Sequence, residues 1–101
     1  MCGIAGYIGK KTIDKSAIDT TLHLMKNRGP DFQDWRSFGI NDTNIYLLHS
    51  RLSIIDLDER SNQPFSFNGA TLVFNGEIYN YLEVRNKLKK QGHTFTTNSD
   101  T

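Results

Sequence analysis

The single cysteine of this chain, Cys2, stands directly behind Met1. Removing that methionine would leave a thiol and a free α-amino group on one residue, a nucleophile that carries its own base. Thiolate is the reactive form of cysteine. A free thiol titrates near about 8.5 and an α-amine near about 7.7–8.0, so the amine can relay a proton at working pH without a separate histidine. Taken alone, the same start is what an incidental small residue at position two would give. Other residues supply matching chemistry. Asn75-Gly76 follows the apolar run Leu72-Val73-Phe74 and precedes Glu77-Ile78-Tyr79-Asn80. A strand that ends in glycine lets a peptide N–H face a ligand with no Cβ in the way, and the asparagine amide adds a second donor. Two such donors make an oxyanion hole, each contributing about 2.7–4 kcal/mol to the transition state; a plain turn is the competing reading. Arg51 closes the apolar strand Ile45-Tyr46-Leu47-Leu48. Its planar fork suits a bidentate grip on a carboxylate, or else an ion pair with Asp56 or Asp58. Asp100, in Asn98-Ser99-Asp100-Thr101, suits a cap or turn, or the holding of an ammonium group. A thiol, two oxyanion donors, a carboxylate clamp and an ammonium clamp are the parts needed to attack the side-chain amide of a free amino acid.

The elements that must position these groups follow from patterning. Gly3 to Ile8 reads as a first strand, so the nucleophile leads a core strand. Ser16 to Arg28 reads as a helix with Ser16 and Asp19 as a capping pair, Ile18, Leu22 and Met25 on one face, and Gly29-Pro30 as its stop. Strands are expected over Asp34 to Phe38 and Asn44 to Leu52, joined by a turn at Gly39 to Asp42. Asn68-Gly69 between Phe65–Phe67 and Thr71–Phe74 is a type I′ hairpin signal. A second helix is expected from Tyr81 to Gln91, capped by Asn80 with Glu83, with Tyr81, Val84 and Leu88 on one face, and ended by Gly92. Thr94 to Thr97 reads as the start of a further β segment. Phe32, Trp35 and Phe38 read as core, and His23 as a surface residue.

Composition removes several classes of function. The 101 residues, 37% hydrophobic, suit one domain with a modest core. Lys plus Arg exceeds Asp plus Glu by one, with no basic stripe, so there is no electrostatic case for nucleic acid. Lys87, Lys89 and Lys90 fall in the last turn of the second helix, where they suit its dipole. No stretch approaches the roughly 20 apolar residues of a membrane span, and the apolar opening lacks a basic leader, so the cytoplasm is the default expectation. His23, His49 and His93 have no ligand spacing, and no metal site is expected.

Met1-Cys2-Gly3-Ile4, Arg28-Gly29-Pro30-Asp31, Arg51-Leu52-Ser53-Ile54-Ile55-Asp56, Asn75-Gly76-Glu77-Ile78-Tyr79-Asn80 and Ser99-Asp100-Thr101 together resemble the amino-terminal glutaminase domain of class II glutamine amidotransferases. Within that superfamily they are most similar to the glutamine-hydrolysing asparagine synthetase branch. The motifs run from the first residue to the last. The resemblance implies an α+β fold, the αββα sandwich of N-terminal nucleophile hydrolases, incomplete in what reads as an N-terminal fragment that would be inactive in isolation. It implies Cys2 as nucleophile, Asn75 and Gly76 as the oxyanion hole, Arg51 as the clamp for the glutamine α-carboxylate, and Asp100 with the Glu77 segment as the α-amino site. Arg28 to Asp31 reads as a structural signature. The implied substrate is glutamine. Aspartate, ATP and magnesium would belong to a synthetase domain beyond this segment, which has no phosphate-binding loop of its own. A homodimer stays open, as does an amidotransferase of the same family acting on a sugar or cell-envelope acceptor. Branches that carry Thr-Arg-aromatic where this chain has Ser50-Arg51-Leu52 fit less well.

Overall fold

The computed structural model describes residues Met1–Thr101 as a mixed α/β arrangement of two small antiparallel sheets and two helices. Asn41 and Asp42, at φ 47° and 63°, reverse the chain between β2 (Phe32–Ile40) and β3 (Thr43–Arg51). Short polar side chains tolerate this left-handed conformation better than others. Strand β1 (Gly3–Gly9) pairs along the other edge of β3, giving the order β1-β3-β2. The register Gly3↔Ser50, Ala5↔Leu48 and Tyr7↔Tyr46 puts the start of β1, and so Cys2, beside the end of β3. Asn68 and Gly69, at φ 48° and 79°, close the expected hairpin between β4 (Phe65–Phe67) and β5 (Ala70–Leu72). That second sheet is shorter than the sequence suggests, because β5 ends at Leu72 and leaves Val73 and Phe74 outside the ladder.

Alternation along the strands sends Ala5, Tyr7, Trp35, Tyr46 and Leu48 to one face of the three-stranded sheet. Helix α1 (Lys15–Met25) covers that face with Ile18, Leu22 and Met25, the stripe read from the sequence. Tyr46 satisfies its buried hydroxyl by accepting from the Ile13 N–H at 3.1 Å, and its ring stacks on Trp35. Much of the opposite face is bare: Ile4, Ile8, Phe38 and Ile40 are 36–73% exposed, so Phe38 is not the core residue expected of it. The total accessible surface, 7058 Å², exceeds the roughly 5,800 Å² of a compact 11.5 kDa monomer, in keeping with that exposed face.

The caps differ from expectation. α1 begins at Lys15, one residue before Ser16. Asp14 is the extended residue whose carbonyl accepts from Ala17 and Ile18, and no side chain caps the end. Ser16 therefore lies inside the first turn, and the helix closes at Met25 rather than Arg28 as the Arg28 and Gly29 N–H groups both donate to Met25 O. Helix α2 (Tyr81–Lys90) has no side-chain cap either, because Asn80 at φ −98°, ψ 26° is outside the extended conformation of a capping residue. Its C-terminus is as expected: Gly92 at φ 93° lets Gly92 and His93 donate to Lys89 O and Leu88 O. Thr94 to Thr97 forms no strand, and Arg85 holds the Thr97 carbonyl instead of a neighbouring strand. No helix is long and apolar enough to cross a membrane.

Candidate active site

Cys2 enters β1 with its backbone held from the side, since Arg28 Nε donates to the Cys2 carbonyl at 3.2 Å. Gly29 makes that approach available. It is buried against β3, where a Cβ would lie 2.6 Å from Arg51 N and closer still to the Ser50 carbonyl. The Arg-Gly-Pro-Asp signature is thus structural, as read, and also fixes the residue that carries the thiol. Asp31 extends the same bracket: its N–H donates to Arg51 O at 3.0 Å and its carboxylate accepts from Ser53 N at 2.7 Å. The half-buried Cys2 Sγ accepts from the Leu52 N–H at 3.3 Å.

A cavity of about 280 Å³ opens over that sulfur. Cys2, Arg51, Asn75, Gly76, Glu77 and Asp100 all line it, so residues scattered from position 2 to position 100 of the sequence converge on one space. The volume is near the lower end for small-molecule sites, roughly 300–1,000 Å³, and suits a free amino acid better than a nucleotide. The Asn75 amide and the Gly76 N–H make no hydrogen bond within the chain, so both donors remain open to a ligand. Glu77 is exposed and also unpaired. Asp100 turns one carboxylate oxygen to the Ile78 N–H at 2.9 Å, which ties the end of the Asn75–Ile78 segment to the opposite wall.

Arg51 is present in the wall but is engaged differently from either sequence reading. It is 6% exposed, and both terminal nitrogens donate to oxygens of the loop that follows β3. Nη1 reaches Asn62 Oδ1 at 2.7 Å and Asp58 O at 3.1 Å; Nη2 reaches Ile55 O at 3.3 Å and Asp56 O. The partners at Asp56 and Asp58 are carbonyls, not carboxylates. In this conformation the guanidinium is the hub of the 52–62 loop while its charge still borders the cavity.

Other groups support the cavity in roles that the motifs did not assign to them. Asp56, at φ 52°, accepts from Asn98 N at 2.7 Å and Ser61 Oγ at 2.8 Å, and so joins the Arg51 loop to the segment that presents Asp100. The Asn98 backbone bond foremost, then the Ser61 bond, lowers its pKa to about 2. Arg85 of α2 grips the same segment from the far side through Thr97 O at 2.7 Å and Ser99 O at 2.5 Å, with its guanidinium 4.9 Å from the Phe95 ring centre. His49, fully buried on β3, lies against Phe74; burial, opposed by its bond to Phe74 O and assisted by the Arg51 charge, pushes its pKa down and keeps it neutral. These residues act across gaps of 12 to 42 positions, which no local pattern reveals.

A family model described as a glutamine amidotransferase domain matches residues 1–101. The chain belongs to that family. Among curated relatives, this amidotransferase domain is 38% identical to asparagine synthetase [glutamine-hydrolyzing] 1 of Bacillus subtilis, with all of the chain and 16% of the relative covered. It is 36% identical to a putative asparagine synthetase [glutamine-hydrolyzing] 2 of Methanocaldococcus jannaschii, with 95% of the chain and 22% of the relative covered. It is 40% identical to a putative asparagine synthetase [glutamine-hydrolyzing] of Mycobacterium tuberculosis, with 99% and 18% covered. The domain thus spans less than a quarter of the length of each. No solved structure gives a significant match.

Proposed function

We propose that this amidotransferase domain hydrolyses glutamine through a Cys2 thioester and supplies the ammonia to asparagine synthesis. The reading is supported above all by the meeting of Cys2, Asn75, Gly76, Arg51, Glu77 and Asp100 around one cavity of amino-acid size. Met1 also lines that cavity. Its removal would place the new α-amine of Cys2 there, next to the thiol it must deprotonate.

In this mechanism the glutamine α-carboxylate lies toward the Arg51 charge and its α-ammonium toward Asp100 and Glu77. A bidentate grip by Arg51 requires two of its loop oxygens to give way to the carboxylate. Cys2 Sγ attacks the side-chain carbonyl carbon while the thiol proton passes to the Cys2 amine. The resulting oxyanion is stabilised by the Asn75 amide and the Gly76 N–H, which contribute most when charge has developed. Collapse breaks the C–N bond, the leaving nitrogen takes the proton from the amine, and ammonia departs. Water then attacks the thioester with the same amine as base, releasing glutamate and restoring the thiol.

Aspartate as acceptor rests on the resemblance of this domain to the glutamine-hydrolysing asparagine synthetase branch. ATP and magnesium do not fit the residues described, since no three His, Cys, Asp or Glu side chains are placed to hold a metal ion. Cytoplasmic localisation stays part of the proposal. So does the αββα sandwich, with a further layer packing on the bare face of Ile4, Ile8, Phe38 and Ile40.

The test is release of glutamate and ammonia from glutamine by the natural protein. Cys2→Ala, or any residue left ahead of Cys2, is expected to bring the rate to the uncatalysed background. The 101 residues alone should show no Cys2-dependent turnover, since the uncovered sheet face leaves the site poorly supported. Undiminished activity with the Cys2 amine blocked would refute the mechanism.

A further inference from the structure

Asn75 and Gly76 donate to nothing in the chain, so something else must aim them at the sulfur. The preceding residue, Phe74, lies beyond the end of β5 and has no ladder partner. Both of its backbone polar groups are nevertheless satisfied, and both by side chains from elsewhere. Its N–H donates to Gln63 Oε1 at 2.6 Å, and its carbonyl accepts from His49 Nε2 at 3.2 Å. Because a carbonyl only accepts, Nε2 carries the proton, and Nδ1 is left buried with no partner. His49 is fully buried and Gln63 is 5% exposed, so neither can swing away cheaply. Gln63 also donates through Nε2 to Thr101 Oγ1 at 3.2 Å, next to Asp100. Downstream, Asp100 holds the Ile78 N–H. The donor segment is therefore a short span pinned at both ends.

We propose that His49 and Gln63 form a two-sided clamp on Phe74 that sets the direction of the Asn75 amide and the Gly76 N–H, and that both act as positioning residues for the oxyanion. The inference rests on the glutaminase reading above. Its physical basis is that the Phe74 carbonyl and the Asn75 nitrogen share one planar peptide, so fixing the carbonyl fixes the plane from which the Asn75 Cα–Cβ bond departs. The Gln63 bond fixes the plane before it. An oxyanion donor helps only if aimed at the place where charge will develop, and loss of aim shows in kcat rather than in substrate binding.

The experiment compares His49→Leu, His49→Gln, Gln63→Met and Gln63→Glu with the parent in the natural protein, measuring kcat and KM for glutamine hydrolysis and the rate of Cys2 alkylation by iodoacetamide. Alkylation needs the thiol but no oxyanion hole. His49→Leu and Gln63→Met are expected to lower kcat about 10- to 100-fold, with KM within about twofold of the parent and alkylation unchanged. His49→Gln keeps an N–H donor for Phe74 O and Gln63→Glu keeps an acceptor for Phe74 N–H, so each should recover most of kcat. Parent-like kcat in His49→Leu or Gln63→Met overturns the clamp, and so does equal loss of turnover and alkylation without recovery in the conservative partner. If His49→Leu does not fold, the Gln63 pair decides by the same criteria. Absence of Cys2-dependent hydrolysis in the parent would instead remove the glutaminase reading itself.

Discussion

Replacing Arg51 with methionine tests how the cavity wall is held. Methionine keeps much of the aliphatic bulk but removes the guanidinium, leaving Ile55 O, Asp56 O, Asp58 O and Asn62 Oδ1 without their donor. A hydrogen bond to a charged group contributes about 1.5–3 kcal/mol net, and the loop can relax toward water at exposed Asp58. Counting only the bonds to Asn62 and Asp56 in full gives about 3–6 kcal/mol. Even the lower end corresponds to a local opening constant raised by about 100-fold. Amide hydrogen exchange reads this directly. The Asn62 N–H, bonded to Glu59 O, and the Asn98 N–H, bonded to Asp56 Oδ2, should both lose protection by about that factor, while amides in the middle of α1 keep theirs. Exchange at Asn62 and Asn98 within about threefold of the parent would mean the guanidinium does not hold the loop, and the hub assignment would be wrong. Asn62→Ala loosens the same loop while keeping the charge. If Arg51 also grips the α-carboxylate, KM for glutamine should rise much further in Arg51→Met than in Asn62→Ala.

Three other outcomes follow from the packing and the titrating groups. Gly29→Ala forces a methyl into the backbone of Ser50 and Arg51, where no flexible side chain can yield; overpacking costs about 1–3 kcal/mol, and a thermal melt should show a clear fall in Tm, against an unchanged Tm if the Gly29 contact is not needed. The pKa of His49 is held below 6.5 in the folded chain, so the unfolded chain binds protons first; stability should be full above that value and decline as pH falls through the lowered folded value. Asp56 behaves likewise in a more acidic window, with its contribution present above 3.8 and lost as pH drops toward about 2. Denaturation midpoints measured against pH should show both declines, and Asp56→Asn should remove the acidic one alone.

The residues that come to line the cavity were legible from residue types. Cys2 next to Met1, an asparagine-glycine pair after an apolar run, and an arginine closing an apolar strand are local features, and local features survive in a linear reading. The α1 stripe of Ile18, Leu22 and Met25, the Asn68-Gly69 hairpin and the Gly92 helix stop were legible for the same reason, since each depends on neighbours within a turn or two. The capping pairs at Ser16 and Asn80 failed because a cap depends on backbone angles set by the chain arriving from outside the helix. Thr94 to Thr97 has strand-like composition but forms no strand, because Arg85 takes its carbonyl.

By itself the sequence determined the inventory: one thiol at the head of a strand, candidate donors for an oxyanion, and charges of both signs for the ends of an amino acid. Only the tertiary structure decided that these groups line a single cavity, that the Arg51 fork first serves its own loop, and that His49 and Gln63 hold Phe74. The physical reason is range. Propensity and periodicity act over a few residues, whereas the bonds of Arg51 to Asn62, Gln63 to Phe74 and His49 to Phe74 join groups 11 to 25 positions apart whose meeting depends on strand register and loop path.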